Sequence, residues 1–152
     1  MKVNSFYDLE VWKLSMDLVE QLYGFLQNLP KEELYVLSDQ MRRALISIPS
    51  NIAEGQKRYN PKEFKRFLYY SRGSLGELMT QIILCNRLGY LSDDNLERVL
   101  NRCELIDRKI NNLIHSLPNR ELKKRNNKSS VTSNNLNDLN NSNDSNNSNN
   151  SN

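Results

Sequence analysis

A small set of residues in this 152-residue chain could do chemistry, and each invites a test against its neighbours. His115 is the only histidine, and Arg108 stands seven positions before it, on the same side of a helix. A single histidine leaves no dyad within one chain, so carboxylates, cysteine or arginine would have to share the work. Two copies meeting across a dimer would bring Arg108 and His115 together for RNA cleavage, but that spacing on an exposed helix face is common by chance. Glu54 and Glu77 are the alternative, an acid-base pair in a cleft. They sit with Gln40, Ser47 and Asn51 on one segment and Ser74 and Gln81 on another, at spacings of three and four. Partly buried polar groups need partners, so the expectation is a hydrogen-bonded polar seam that fixes helix register, and no catalytic residue is assigned. Cys85 and Cys103 fall on or beside apolar faces and are expected to be reduced core thiols, not a disulfide or a metal pair. Residues 47–58, SIPSNIAEGQKR, contain nothing of GxxxxGK[ST], so neither a phosphate loop nor any other cofactor site is expected.

Four periodic segments must position these residues, and strand-like alternation is absent. The first covers residues 8–28, with Leu9, Trp12, Met16, Val19, Tyr23 and Leu26 as its main stripe. The second runs from about Lys31 past Ala53, carrying Leu34, Leu37, Met41, Leu45, Ile48 and Ile52. That stripe crosses Pro49 without a phase break, so the helix should continue there, with Pro49 facing outward at a kink and Gly55 as a plausible end. The third opens at Asn60-Pro61-Lys62-Glu63, where Asn suits the N-cap, Pro the first helical position and Glu the third. Its buried side is Phe64, Leu68, Leu75, Leu78 and Ile82. Ser92 caps the fourth, Asp93 and Asp94 fill its first turn, and Leu96, Val99, Cys103, Ile106, Ile110, Leu113 and Leu117 recur along it. Links are short, which favours an all-α, antiparallel up-down-up-down four-helix bundle over residues 1–118.

Composition bounds the rest. Residues 119–152 hold 14 Asn and 7 Ser among 34 positions, too little apolar surface to offset ordering entropy, so a disordered C-terminal tail with a basic start is expected. Asn-x-Ser triplets there match a glycosylation pattern, but no signal peptide is evident and no stretch reaches the ~18 apolar residues of a membrane span. A cytoplasmic protein without membrane contact is the expectation.

Charge points toward nucleic acid. Residues 1–118 are nearly neutral, yet Arg42, Arg43, Lys57, Arg58, Lys62, Lys65, Arg66 and Arg72 face only Glu54 and Glu63 within residues 42–72, a local net of +6. Lys62, Lys65, Arg66, Tyr69 and Arg87 share the outer face of the third helix. Clustered cations release counterions on meeting phosphates, and a tyrosine among them stacks on a base. Residues 120–128 add a further net of +4. A solvated helix face is the competing reading, and a protein-only scaffold the competing function. The first helix carries Val11, Leu14, Leu18 and Phe25 beside its main stripe, more apolar surface than one core needs, so self-association is expected. Gly73, Gly76 and Thr80 form a small-residue patch on the outside of the third.

Four blocks carry a family resemblance: Phe6-Tyr7-Asp8-Leu9-Glu10-Val11-Trp12-Lys13; Gln40-Met41-Arg42-Arg43-Ala44; Ser47-Ile48-Pro49-Ser50-Asn51-Ile52-Ala53-Glu54-Gly55; and Gly73-Ser74-Leu75-Gly76-Glu77-Leu78. Over roughly residues 6–117 the chain resembles the four-helix-bundle proteins encoded within intervening sequences of bacterial 23S ribosomal RNA genes. That resemblance implies an antiparallel bundle and, through the related accessory protein of diversity-generating retroelements, a homopentamer that binds nucleic acid and a reverse transcriptase. It transfers no functional residue, and the Asn/Ser tail departs from the family pattern. The Arg108 and His115 spacing is separately similar to an arginine-histidine pattern of helical-bundle ribonucleases.

Overall fold

The computed structural model describes residues 5–30 and 36–118. The expectations for Leu34, the start of the second helix, the tail 119–152 and the basic run 120–128 lie outside the described residues. A 3-10 turn, Phe6–Asp8, leads into four helices: α1 Glu10–Gln27, α2 Leu37–Lys57, α3 Pro61–Arg87 and α4 Asp93–Ser116.

Cross-helix pairs fix the topology. Ser38 meets the Leu26 carbonyl while Lys57 lies over the Phe6 ring, so α1 and α2 are antiparallel. Met41 meets Cys85 and Ser47 meets Ser74; Arg72 meets Asp107 and Asn86 meets Asp93. Each neighbouring pair therefore runs in opposite directions. Glu10 bonds Lys109 and Arg102 bonds Gln21, which brings α4 back against α1 and closes the up-down-up-down bundle. The core between the helices is aliphatic, built on Leu18, Leu26, Met41, Leu45, Ile48, Ile52, Leu68, Leu75, Leu78, Ile82, Ile106 and Ile110.

Local signals set two helix starts as the sequence indicates. Asn60 Oδ1 accepts the Lys62 N–H at 2.9 Å and the Glu63 N–H at 3.5 Å, with Pro61 at the first helical position. Ser92 Oγ accepts the Asn95 N–H at 3.4 Å. Cys85 and Cys103 are buried and not joined in a disulfide. Burial pushes the Cys103 thiol up to about 12.

Three expectations are corrected. In α1 the covered stripe is shifted: Val11, Ser15, Leu18 and Leu22 are buried together with Leu9 and Leu26 of the expected stripe, whereas Trp12, Met16 and Val19 are half-buried and Tyr23 is exposed. Ser15 passes as a core residue because its hydroxyl donates to the Val11 carbonyl at 2.7 Å. Pro49 is buried, not outward, because α1 packs on that side of α2. Gly55 does not end α2, which continues to Lys57. A Cβ at Gly55 would stand 2.6 Å from Phe67 Cβ and 2.9 Å from Phe64 Cδ2, so glycine there lets α2 and α3 approach. The polar residues around Pro49 support the turn before it. Ser50 Oγ, Asn51 Nδ2 and Ser71 Oγ donate to the carbonyls of Ile46, Ser47 and Ile48 in turn.

Candidate nucleic-acid interface

The α2–α3 turn is the structural origin of the basic cluster. Lys57 and Arg58 close α2, Lys62, Lys65 and Arg66 fall in the first turns of α3, and antiparallel packing holds both sets at one end of the bundle. Phe67, buried against Gly55, organises them. The Arg58 guanidinium lies 5.3 Å from its ring centroid and that of Arg66 5.5 Å. Each arginine is also held by a carboxylate of its own helix, Arg58 by Glu54 and Arg66 by Glu63, both at 2.6 Å. Tyr70 packs edge-on against Phe67 at 5.7 Å.

Three tyrosines project from this surface. Tyr59 is 82% exposed, Tyr69 55% and Tyr70 52%. Tyr59 has φ +52°, the left-handed conformation that glycine ordinarily takes after a helix and that costs a residue bearing a Cβ about 1–2 kcal/mol. Sequence reading found Tyr69 and missed the other two. The signal was Tyr59 following Lys57 and Arg58, and Tyr70 standing four residues after Arg66.

The remaining candidates are elsewhere. Arg42 and Arg43 share Asp39 at 3.6 and 3.8 Å and lie about 22 Å along α2 from Lys57, at 1.5 Å per residue. Arg87, one face with Lys62 on a wheel, is about 37 Å away along α3 by the same rise. Arg72 turns to α4, where Nε and Nη2 reach the two Asp107 oxygens at 2.7 and 3.1 Å. That bidentate bond to Asp107 raises the guanidinium's pKa above its ordinary value. Arg72 therefore ties α3 to α4.

The seven polar residues read as a seam divide likewise. Asn51 Nδ2 reaches Ser47 Oγ at 2.9 Å, and Ser74 Oγ bonds the same hydroxyl at 2.9 Å, joining α2 to α3. Glu77 pairs with Gln81 inside α3, Glu54 with Arg58 at the C-terminal end of α2, and Gln40 is exposed. Ser71, which sequence reading missed, adds a second bond between the two helices through the Ile48 carbonyl at 3.0 Å. Arg108 and His115 are both exposed on α4.

Two apolar depressions lie among the described residues. One, of about 580 Å³, lies between α1 and α2 and is walled by Trp12, Met16, Val19, Tyr23, Ile46 and Pro49. The other, of about 640 Å³, opens beside the α2–α3 turn under Leu9, Phe64, Leu113 and Leu117. Among the described residues, no group of three or more His, Cys, Asp or Glu is placed to hold a metal ion, and no helix is long and apolar enough to cross a membrane.

This bundle has counterparts. A solved structure from Bacteroides thetaiotaomicron VPI-5482, a protein of unknown function from the S23 ribosomal protein family, superposes with a TM-score of 0.65 at 21% identity, covering 70% of this chain and 96% of that one. At that identity the likeness shows the fold alone. No curated protein matches the chain. A family model, the 23S rRNA-intervening sequence protein, matches residues 7–112. That span takes in every described helix almost whole, together with the α2–α3 turn and its cations, and the chain belongs to the family of 23S rRNA-intervening sequence proteins.

Proposed function

We propose that the protein is a non-enzymatic, homo-oligomeric nucleic-acid-binding protein of the cytoplasm, gripping RNA or DNA phosphates with the cations around the α2–α3 turn. The observation that carries this reading is the convergence of Lys57, Arg58, Lys62, Lys65 and Arg66 on one end of the bundle with exposed tyrosines among them. Such a surface gains affinity by releasing counterions from phosphates. Repetition of the site in an oligomer multiplies weak contacts by avidity, which suits an accessory beside a nucleic-acid enzyme.

The α1–α2 trough supports self-association, since a monomer would leave Trp12, Met16, Val19 and Ile46 against water. We place a second copy of the chain there. Val19→Glu with Ile46→Glu is expected to yield monomers in light scattering.

The test of binding is the salt dependence of affinity for labelled RNA and DNA. The logarithm of affinity should fall linearly with the logarithm of salt, by ~0.7–0.9 per phosphate neutralised. Reversing Lys62, Lys65 and Arg66 to Glu should flatten that slope while helicity and oligomer size persist, and the RNA should remain intact throughout. Failure of the wild type to bind at low salt would favour a protein-only scaffold, the reading that the trough alone supports. Cleavage abolished by His115→Ala would make it a nuclease.

A further inference from the structure

We infer that the α2–α3 end recognises unpaired nucleotides, with Tyr59, Tyr69 and Tyr70 serving as platforms on which single-stranded bases stack. This rests on the nucleic-acid reading above and adds the strand state of the ligand. A phosphate-gripping surface has no use for aromatic rings, because cations alone hold a duplex backbone. Base faces, in contrast, are exposed only where a strand is unpaired, and aromatic side chains interleaved with cations bind such strands by stacking.

The three rings are placed for that use. Tyr69 and Tyr70 follow Arg66 by three and four residues on α3, so they rise on its outer face one turn beyond that cation. Tyr59 stands at the other side of Arg58, in a left-handed turn and 82% exposed, at the wall of the depression that Phe64 and Leu113 also line. The Tyr70 ring meets Phe67 edge-on, and Phe67 carries both Arg58 and Arg66. Tyr70, Phe67 and the two guanidinium groups thus form one contiguous set, with Tyr59 and Tyr69 exposed next to it in the chain. Burial explains none of the three tyrosines, since each is more than half exposed. The left-handed backbone at Tyr59 would be relieved by glycine, the residue that such a turn ordinarily holds.

The experiment compares a 12-nucleotide single strand with a duplex of the same length at one salt concentration, using the full chain and a 2-aminopurine reporter in the strand. The expected result is tighter binding to the single strand by tenfold or more, with quenching of the reporter as it stacks. Replacing all three tyrosines with Leu should remove that preference, each lost platform lowering single-strand affinity roughly 5- to 150-fold. Duplex affinity and the salt slope should be unchanged. The corresponding Phe variants should keep the preference, since ring faces and not hydroxyls are used. Equal binding of strand and duplex by the wild type, or a preference that survives in the Leu variant, overturns this inference and leaves the phosphate-binding reading standing. Binding of neither ligand overturns both.

Discussion

Gly55→Ala is the most revealing single change. In an unobstructed helix interior this substitution stabilises by about 1 kcal/mol, because glycine loses more backbone freedom on folding. At Gly55 the new Cβ would lie 2.6 Å from Phe67 Cβ, about 0.8 Å inside the 3.4 Å at which ordinary contact begins. Phe67 Cβ is fixed to the α3 backbone and cannot rotate away, so α2 and α3 must separate near their turn. Overpacking of this kind costs about 1–3 kcal/mol, which offsets the propensity gain and leaves a net loss of up to about 2 kcal/mol. Gly24→Ala is the control, since nothing lies within 4 Å of its Cβ, and it should stabilise by about 0.4–1 kcal/mol. Urea midpoints compared at one protein concentration would shift in opposite directions for the two variants with unchanged slopes. Because Phe67 lies beneath Arg58 and Arg66, Gly55→Ala should also weaken RNA binding several-fold. A Gly55→Ala variant as stable as Gly24→Ala would refute the close-approach argument.

Two further predictions concern buried and cross-helix groups. In a double-mutant cycle of Arg72→Met and Asp107→Asn, the bidentate pair should show a coupling of about 0.5–1 kcal/mol that shrinks with salt, and Arg72→Met should leave the RNA salt slope as in the wild type. Cys103 titrates at about 12 in the folded chain and near 8.5 when unfolded. Its contribution is therefore complete below pH ~8.5 and is lost as pH rises toward 12, by up to ~1.4 kcal/mol per pH unit. Urea midpoints of wild type and Cys103→Ala across pH 8–11 should show the steeper fall in the wild type.

The starts of α3 and α4 were legible because Asn60-Pro61 and Ser92 satisfy backbone donors locally, and local hydrogen bonding needs no knowledge of neighbours. The choice of α1 stripe was not, since Trp12-Met16-Val19 and Val11-Leu18-Leu22 both have helical period and only the positions of α2 and α4 decide which is covered. Pro49 misled for the same reason, being off the main stripe yet under α1. Gly55 and Arg72 show the other limit. A glycine near a helix end reads as a stop and an arginine in a basic run reads as surface charge. Phe67 and Asp107, which set their real roles, are 12 and 35 residues away in the chain. At the candidate site the cations and Tyr69 were legible, but Tyr59 was not, because its left-handed backbone is a property of the folded turn.

Glu54 and Glu63 each sit against an arginine of the basic surface, and that arrangement makes the resident carboxylate a competitor for any incoming anion. A free nucleotide brings one phosphate group to one site and must displace a partner tethered at high effective concentration. A strand that reaches across the turn displaces both carboxylates in one binding event, with the second exchange intramolecular. The surface should therefore discriminate by ligand length, ignoring mononucleotides at concentrations where a strand long enough to span Arg58 and Arg66 is already bound. On the proposed reading, the acidic neighbours would keep the arginines reserved for polymers in a cell crowded with nucleoside phosphates.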